Sequence, residues 1–146
     1  MALNYLQEND MALNTKTEYA LRALIEIHEQ GYVSAQKICE AQKLPKKYIE
    51  HLMALLKSAG LVNSSPGSLG GYALAKKPNE ISLADILSAV EDESFNTACV
   101  DTSGRHCLGE TCTLSPFFSE LENKLQQVFR SYTLKDIMKI WQRKDK

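Results

Sequence analysis

Apolar positions along this chain recur mostly with the spacing of helices and only once with that of strands. Ala20, Leu21, Leu24, Ile25 and Ile27 share one face of a first helix. Thr15-Lys16-Thr17-Glu18 reads as a capping box at its start, with the Thr15 hydroxyl taking the Glu18 N–H and Glu18 reaching back. Gly31 ends it. A second helix is predicted from Ser34 to about Gln42, with Ala35, Ile38 and Cys39 turned inward. Leu44-Pro45 breaks it, and Pro45 suits the first position of a third helix that runs to about Ala59 and closes at Gly60. In that helix Ile49, Leu52, Met53 and Leu56 form one apolar stripe. Lys46, Lys47, Glu50, His51, Ala54 and Lys57 lie on the opposite side.

The period then changes. Leu61–Ser64 and Gly71–Ala75 read as strands on either side of Ser65-Pro66-Gly67-Ser68-Leu69-Gly70, a hairpin signal that Lys76-Lys77-Pro78 terminates. Ser82-Leu83-Ala84-Asp85 is a second capping box, for a helix to about Val90. Ser115 reads as the cap of a long helix with Pro116 at its first position, carrying Phe117, Phe118, Leu121, Leu125, Val128 and Phe129 to about Tyr132. Thr133-Leu134-Lys135-Asp136 starts a last helix with Leu134, Ile137, Met138 and Trp141. Met1-Ala2-Leu3-Asn4 recurs at Met11-Ala12-Leu13-Asn14, so Met11 is expected to be the main start and residues 1–10 a loosely attached leader or added extension.

Helix, helix, turn, helix, hairpin is the order of a winged helix-turn-helix. The expected fold is mainly α with a small β-hairpin wing. The expected division is a DNA-reading unit over 11–92, a cysteine loop over 93–114, and a long helix plus a C-terminal helix over 115–146.

The net charge of −1 conceals an uneven distribution. Ser34 to Asn79 carries seven lysines against Glu40 and Glu50, and Ile81 to Glu122 carries eight acids against Arg105. A basic binding face and an acidic remainder follow from that asymmetry. The third helix would present Lys46, Lys47, Glu50 and His51 to the major groove. Lys37, Tyr48, Lys57 and the wing residues Ser65, Ser68 and Gly70 complete the candidate DNA contacts. Lysines there neutralise phosphate, whereas a carboxylate such as Glu50 is repelled by DNA unless it accepts from a base amino group, typically that of cytosine. No run of about 18 apolar residues predicts a membrane span, and no basic-then-apolar leader is present, so a cytoplasmic location is expected. Three histidines without a nucleophile elbow or phosphate loop do not suggest an enzyme.

Cys99, Cys107 and Cys112 fall within fourteen residues of polar, glycine-containing sequence with no apolar period. Such a segment cannot pack a core for itself. In a reducing compartment, three clustered thiols point to a metal, a cluster or a redox sensor before a structural disulfide. Zinc with His106 as a fourth ligand, or three ordinary loop thiols, are the blander readings. Cys39, on the inward face of its helix, reads as a small core residue.

Met11 to Leu24, Tyr48-Ile49-Glu50-His51-Leu52, Leu55 to Val62 and Gly70-Gly71-Tyr72-Ala73-Leu74 together resemble the Rrf-two family of regulators, from Met11 to Trp141. That family includes the iron–sulfur types IscR, NsrR and RirA and the cluster-free CymR type. The resemblance implies a homodimer of winged-helix subunits joined by the long helix, here Ser115–Tyr132, that binds a palindromic double-stranded operator. It also implies an iron–sulfur cluster on Cys99, Cys107 and Cys112, although the spacing of seven then four intervening residues departs from the common five and five. IscR types use a His three residues after the last cysteine, where this chain has Ser115. NsrR types use an acidic residue near the start of the first helix of the other subunit, where this chain has Glu18. The expectation is therefore an NsrR-like set with Glu18 as fourth ligand, His106 as the alternative, and a 4Fe–4S cluster favoured over 2Fe–2S. A further departure is Pro66, which stands where family wings often carry an Arg.

Overall fold

The computed structural model describes residues 14–95 and 113–144. The described residues form α1 (Thr15–Gln30), α2 (Ala35–Gln42), α3 (Lys46–Ser58), the strands β1 (Val62–Ser65) and β2 (Gly71–Leu74), a 3-10 turn (Pro78–Glu80), α4 (Leu83–Ala89), α5 (Ser115–Ser131) and α6 (Leu134–Lys144). This is the expected class, mainly helical with one antiparallel hairpin, in which Val62 pairs with Leu74 and Ser65 with Gly71. Cys99, Cys107, Cys112, Arg105, His106 and residues 1–10 lie outside the described residues.

One core joins these elements. Leu24 and Ile27 of α1, Ile38 of α2, the α3 stripe of Ile49, Leu52, Met53 and Leu56, and Ile86 of α4 are all closed to solvent. Burying each such side chain contributes roughly 1.5–3 kcal/mol, so the apolar period of each helix fixes which face turns inward. Cys39 belongs to this core, as expected. Burial, and then the negative charge of Glu50, push its thiol above the ordinary range. Leu134 and Met138 of α6 return to the same core. The Leu83 N–H donates to the Tyr132 carbonyl and the Leu134 N–H to the Ile81 carbonyl, both at 2.8 Å, which seats the start of α6 beside the start of α4.

The helix starts hold the main corrections. Asn14, not Thr15, caps α1, its side-chain oxygen accepting the Thr17 N–H at 3.2 Å. A cap reaches the N–H three residues on, so with Asn14 in that place Glu18 falls one position too late to close a box. Glu18 instead pairs with Arg22 one turn further, at 3.0 Å. Pro45 is the residue before α3 rather than its first, in extended backbone. Ser115 is the first residue of α5, preceded by Leu114, and no side chain caps that helix. Ala35 is half-buried rather than inward. The box at Ser82/Asp85 forms as read, with two bonds of 3.0 Å, and Thr133 and Asp136 make the same reciprocal pair at the start of α6, at 3.0 and 3.2 Å.

Candidate nucleic-acid interface

The turn between α2 and α3 is short because Lys43 adopts the left-handed conformation, with φ 55°. The Leu44 N–H then returns to the Cys39 carbonyl at 2.9 Å. A buried carboxylate fixes the two preceding helices: Glu26 of α1 accepts from Gln42 of α2 at 2.8 Å and from Gln30 at 3.3 Å. With α3 held by its apolar stripe, Lys46, Lys47, Glu50, His51 and Lys57 all face solvent, and so does Lys37 on α2. The helix therefore offers one continuous polar face of three cations, one carboxylate and one imidazole.

Tyr48 is placed differently. Its ring is half-buried and packs edge-on against Tyr19 of α1, with centroids 5.4 Å apart. Burial is the main reason that its phenol titrates above the ordinary range. Its observed contact is with α1.

The hairpin is pinned beside that face. Val33, between α1 and α2, exchanges two backbone bonds with Tyr72 at 3.0 and 2.8 Å. Gly71 permits this approach, since a Cβ there would meet the Val33 carbonyl oxygen at 2.8 Å. Lys57, Ser65, Gly67 and Gly70 line one groove between the end of α3 and the wing. Lys57 of α3 is thus brought together with Ser65 and Gly70 of the wing, while Ser68 stands exposed on the turn.

A second constellation, not read from the sequence, ties the start of α1 to the residues before the cysteines. Asp92 is only 8% exposed. Its carboxylate accepts from the Asn14 N–H at 3.3 Å, the Thr17 hydroxyl at 2.5 Å, and the Ser94 N–H and hydroxyl at 3.0 and 2.5 Å. Burial raises its pKa, but the bonds from Ser94, Thr17 and Asn14 outweigh burial, and the net shift is below the usual carboxylate range. Next to it, Phe95 packs on Phe129 of α5 with centroids 5.0 Å apart. The chain thus enters the cysteine segment from a point clamped to both α1 and α5. In sequence Asp92 stands in an acidic run that reads only as the end of a helix. Glu18 lies one residue beyond Thr17, with its side chain 37% exposed, and Arg22 stands over the Trp141 ring at 5.2 Å. No group of three or more potential metal-binding side chains occurs among the described residues.

Helix, turn, helix with a pinned hairpin beside a cationic outer face defines a winged-helix DNA-binding protein. Residues 13–140 match the family described as Rrf2, iron-dependent transcriptional regulator, and the chain belongs to that family. It is 36% identical over 132 residues to an HTH-type transcriptional regulator of Synechocystis sp., an alignment that covers 87% of each chain. The structure resembles that of T. potens IscR, with a TM-score of 0.66, 28% identity and coverage of 89% and 88% of the two chains. It also resembles CymR, the global cysteine regulator of B. subtilis, with a TM-score of 0.64, 28% identity and coverage of 85% and 93%. The protein is therefore a DNA-binding transcriptional regulator and not an enzyme. None of its described helices is long and apolar enough to cross a membrane.

Proposed function

We propose that operator binding by this regulator is controlled by an iron–sulfur cluster held by Cys99, Cys107 and Cys112, with the partner subunit's Glu18 as the fourth ligand and His106 as the alternative. The observation that carries this reading is the state of Glu18. Asn14 has taken over the capping, so the half-buried Glu18 carboxylate is left to a pair with Arg22, which donates to it from Nε and Nη2. Such an i,i+4 pair is worth about 0.2–0.5 kcal/mol, so another cation can recruit the carboxylate at little cost. Three thiolates and one carboxylate suit iron, and they favour a 4Fe–4S over a 2Fe–2S centre by likeness to the NsrR type. When bound, the cluster supplies an iron open to nitric oxide, oxygen or iron limitation, because a hard carboxylate is its weakest ligand.

The dimer that would bring the partner subunit's Glu18 to the cluster fits α5. Phe117 is 57% exposed, Val128 50% and Leu121 39%, so half of its apolar stripe is exposed in the single chain, while Phe129 is buried. Two subunits joined along α5 would place two copies of α3 on a palindromic operator in the cytoplasm. The units proposed are the DNA-reading part over 11–92, the cluster segment over 93–114 and the dimerising part over 115–146.

Anaerobic absorbance with iron and sulfide analysis on fresh protein tests the reading. A broad visible band with matching iron and sulfide is expected, bleached by nitric oxide as operator binding changes. Glu18→Ala is expected to weaken cluster-dependent operator binding at least about tenfold, a scale already reached by groups one shell further from a metal. The dimer should remain intact on a sizing column. Unchanged operator affinity of the cluster-loaded variant would remove Glu18 from the ligand set. Similarity to CymR, nearly as close as that to IscR, favours a second reading, in which a regulator without a cluster uses its thiols as a redox switch or takes its signal from a partner protein. Protein that stays colourless and iron-free after anaerobic reconstitution would select that reading.

A further inference from the structure

We infer that Leu69, at the tip of the wing, is an apolar wedge that enters the DNA minor groove, so that this wing reads DNA shape rather than phosphate charge. The inference rests on the docking of α3 and the hairpin against one duplex. From Leu61 to Ala75 the chain carries no charged side chain, and Leu69 stands inside the turn that Gly67 and Gly70 close, with Pro66 just before it. Leu69 is 90% exposed, more than any other large apolar side chain among the described residues.

Its backbone is nevertheless held firmly. The Tyr32 hydroxyl donates to the Leu69 carbonyl at 2.8 Å. The Gly70 N–H closes the turn onto the Gly67 carbonyl at 2.9 Å. Gly67 takes φ 101°, and a Cβ on Gly70 would stand 2.6 Å from the Ser65 carbonyl oxygen, so the turn tolerates little rearrangement. Lys57 shares a groove with Ser65, Gly67 and Gly70, which makes the tip continuous with the cationic face of α3.

A leucine fixed on a rigid, uncharged arm beside a phosphate-binding lysine gains little from water or from phosphate. It gains from the floor of a minor groove, where apolar side chains insert between base steps and bend the duplex. The selectivity that follows is for easily deformed steps rather than for particular base edges.

The test uses the full-length chain and a duplex enriched by it from a random-sequence library. Wild type, Leu69→Ala and Lys57→Ala are compared on that duplex by fluorescence anisotropy across salt concentrations and by end-to-end energy transfer for bending. Leu69→Ala is expected to lose about tenfold in affinity and most of the bend, with the same salt slope. Lys57→Ala should lose affinity with a shallower slope. Equal affinity and equal bending by wild type and Leu69→Ala would overturn the wedge alone, and a protein partner lost by Leu69→Ala on an unaltered duplex affinity would reassign the tip to that partner. If wild type enriches no duplex, the docking on which the wedge rests falls with it.

Discussion

Replacing Lys46, Lys47 and Lys57 together by Ala is expected to reduce affinity for the enriched duplex at least about 100-fold near physiological salt, and to flatten its salt dependence by about 2.7 for each half-site. The three side chains stand on the solvent face of α3 or at its end, opposite the buried stripe, so their loss leaves the core untouched. Each lysine that neutralises a phosphate displaces a condensed cation, and that release is what a rise in salt reverses. Thermal stability should change little. Glu50→Ala on the same face is expected to behave in the opposite way, relaxing sequence preference by a factor corresponding to about 1–3 kcal/mol while leaving the salt slope alone. Salt titrations of anisotropy, with library enrichment repeated on each variant, measure both effects. A triple-lysine variant with an undiminished slope would place the phosphates elsewhere on the molecule.

Asp92→Ala is expected to destabilise the fold by about 2–3 kcal/mol and to release the residues before the cysteines from α1. The carboxylate satisfies the Asn14 N–H, the Thr17 hydroxyl and both donors of Ser94. Removing one buried acceptor leaves its donors unpaired, and this costs more than the net worth of the bonds. Asp92→Asn keeps the volume and part of the acceptor capacity and should lose roughly half as much. The pH dependence has a definite sign. The folded pKa is depressed by the bonds from Ser94, Thr17 and Asn14, which outweigh burial, while the unfolded chain titrates near the ordinary value of about 3.9. The stabilisation is therefore complete above that value and is lost as pH falls through the lower folded value. The stability gap between wild type and Asp92→Asn should be constant near neutrality and close in acid. Denaturant melts at several pH values measure it, and faster amide exchange at Thr17 and Ser94 in the variant would locate it. A gap that persists unchanged in strong acid would mean that the residue acts through packing and not through its charge.

The element order, the outward lysines and the wing were legible because each rests on a short-range rule: a helical or strand period, a turn residue, a cap. The misreadings were equally local. Thr15 and Glu18 have the spacing of a box, but Asn14 offers its oxygen one residue earlier, and nothing in the spacing alone ranks the two. Apart from these, the packing of the Tyr48 ring on Tyr19, almost thirty positions away, is a contact that no local pattern shows.

The sequence by itself determined the class of this protein, its cationic face and the crowding of Cys99, Cys107 and Cys112, because composition and period are properties of neighbours in the chain. Only the tertiary structure decided that Asp92 joins the start of α1 to the threshold of the cysteine segment and that Leu69 is held out at the wing tip by Tyr32. Thr17 and Asp92 are 75 residues apart, and Tyr32 and Leu69 are 37 apart. Their meeting depends on how the core closes, which no local pattern encodes.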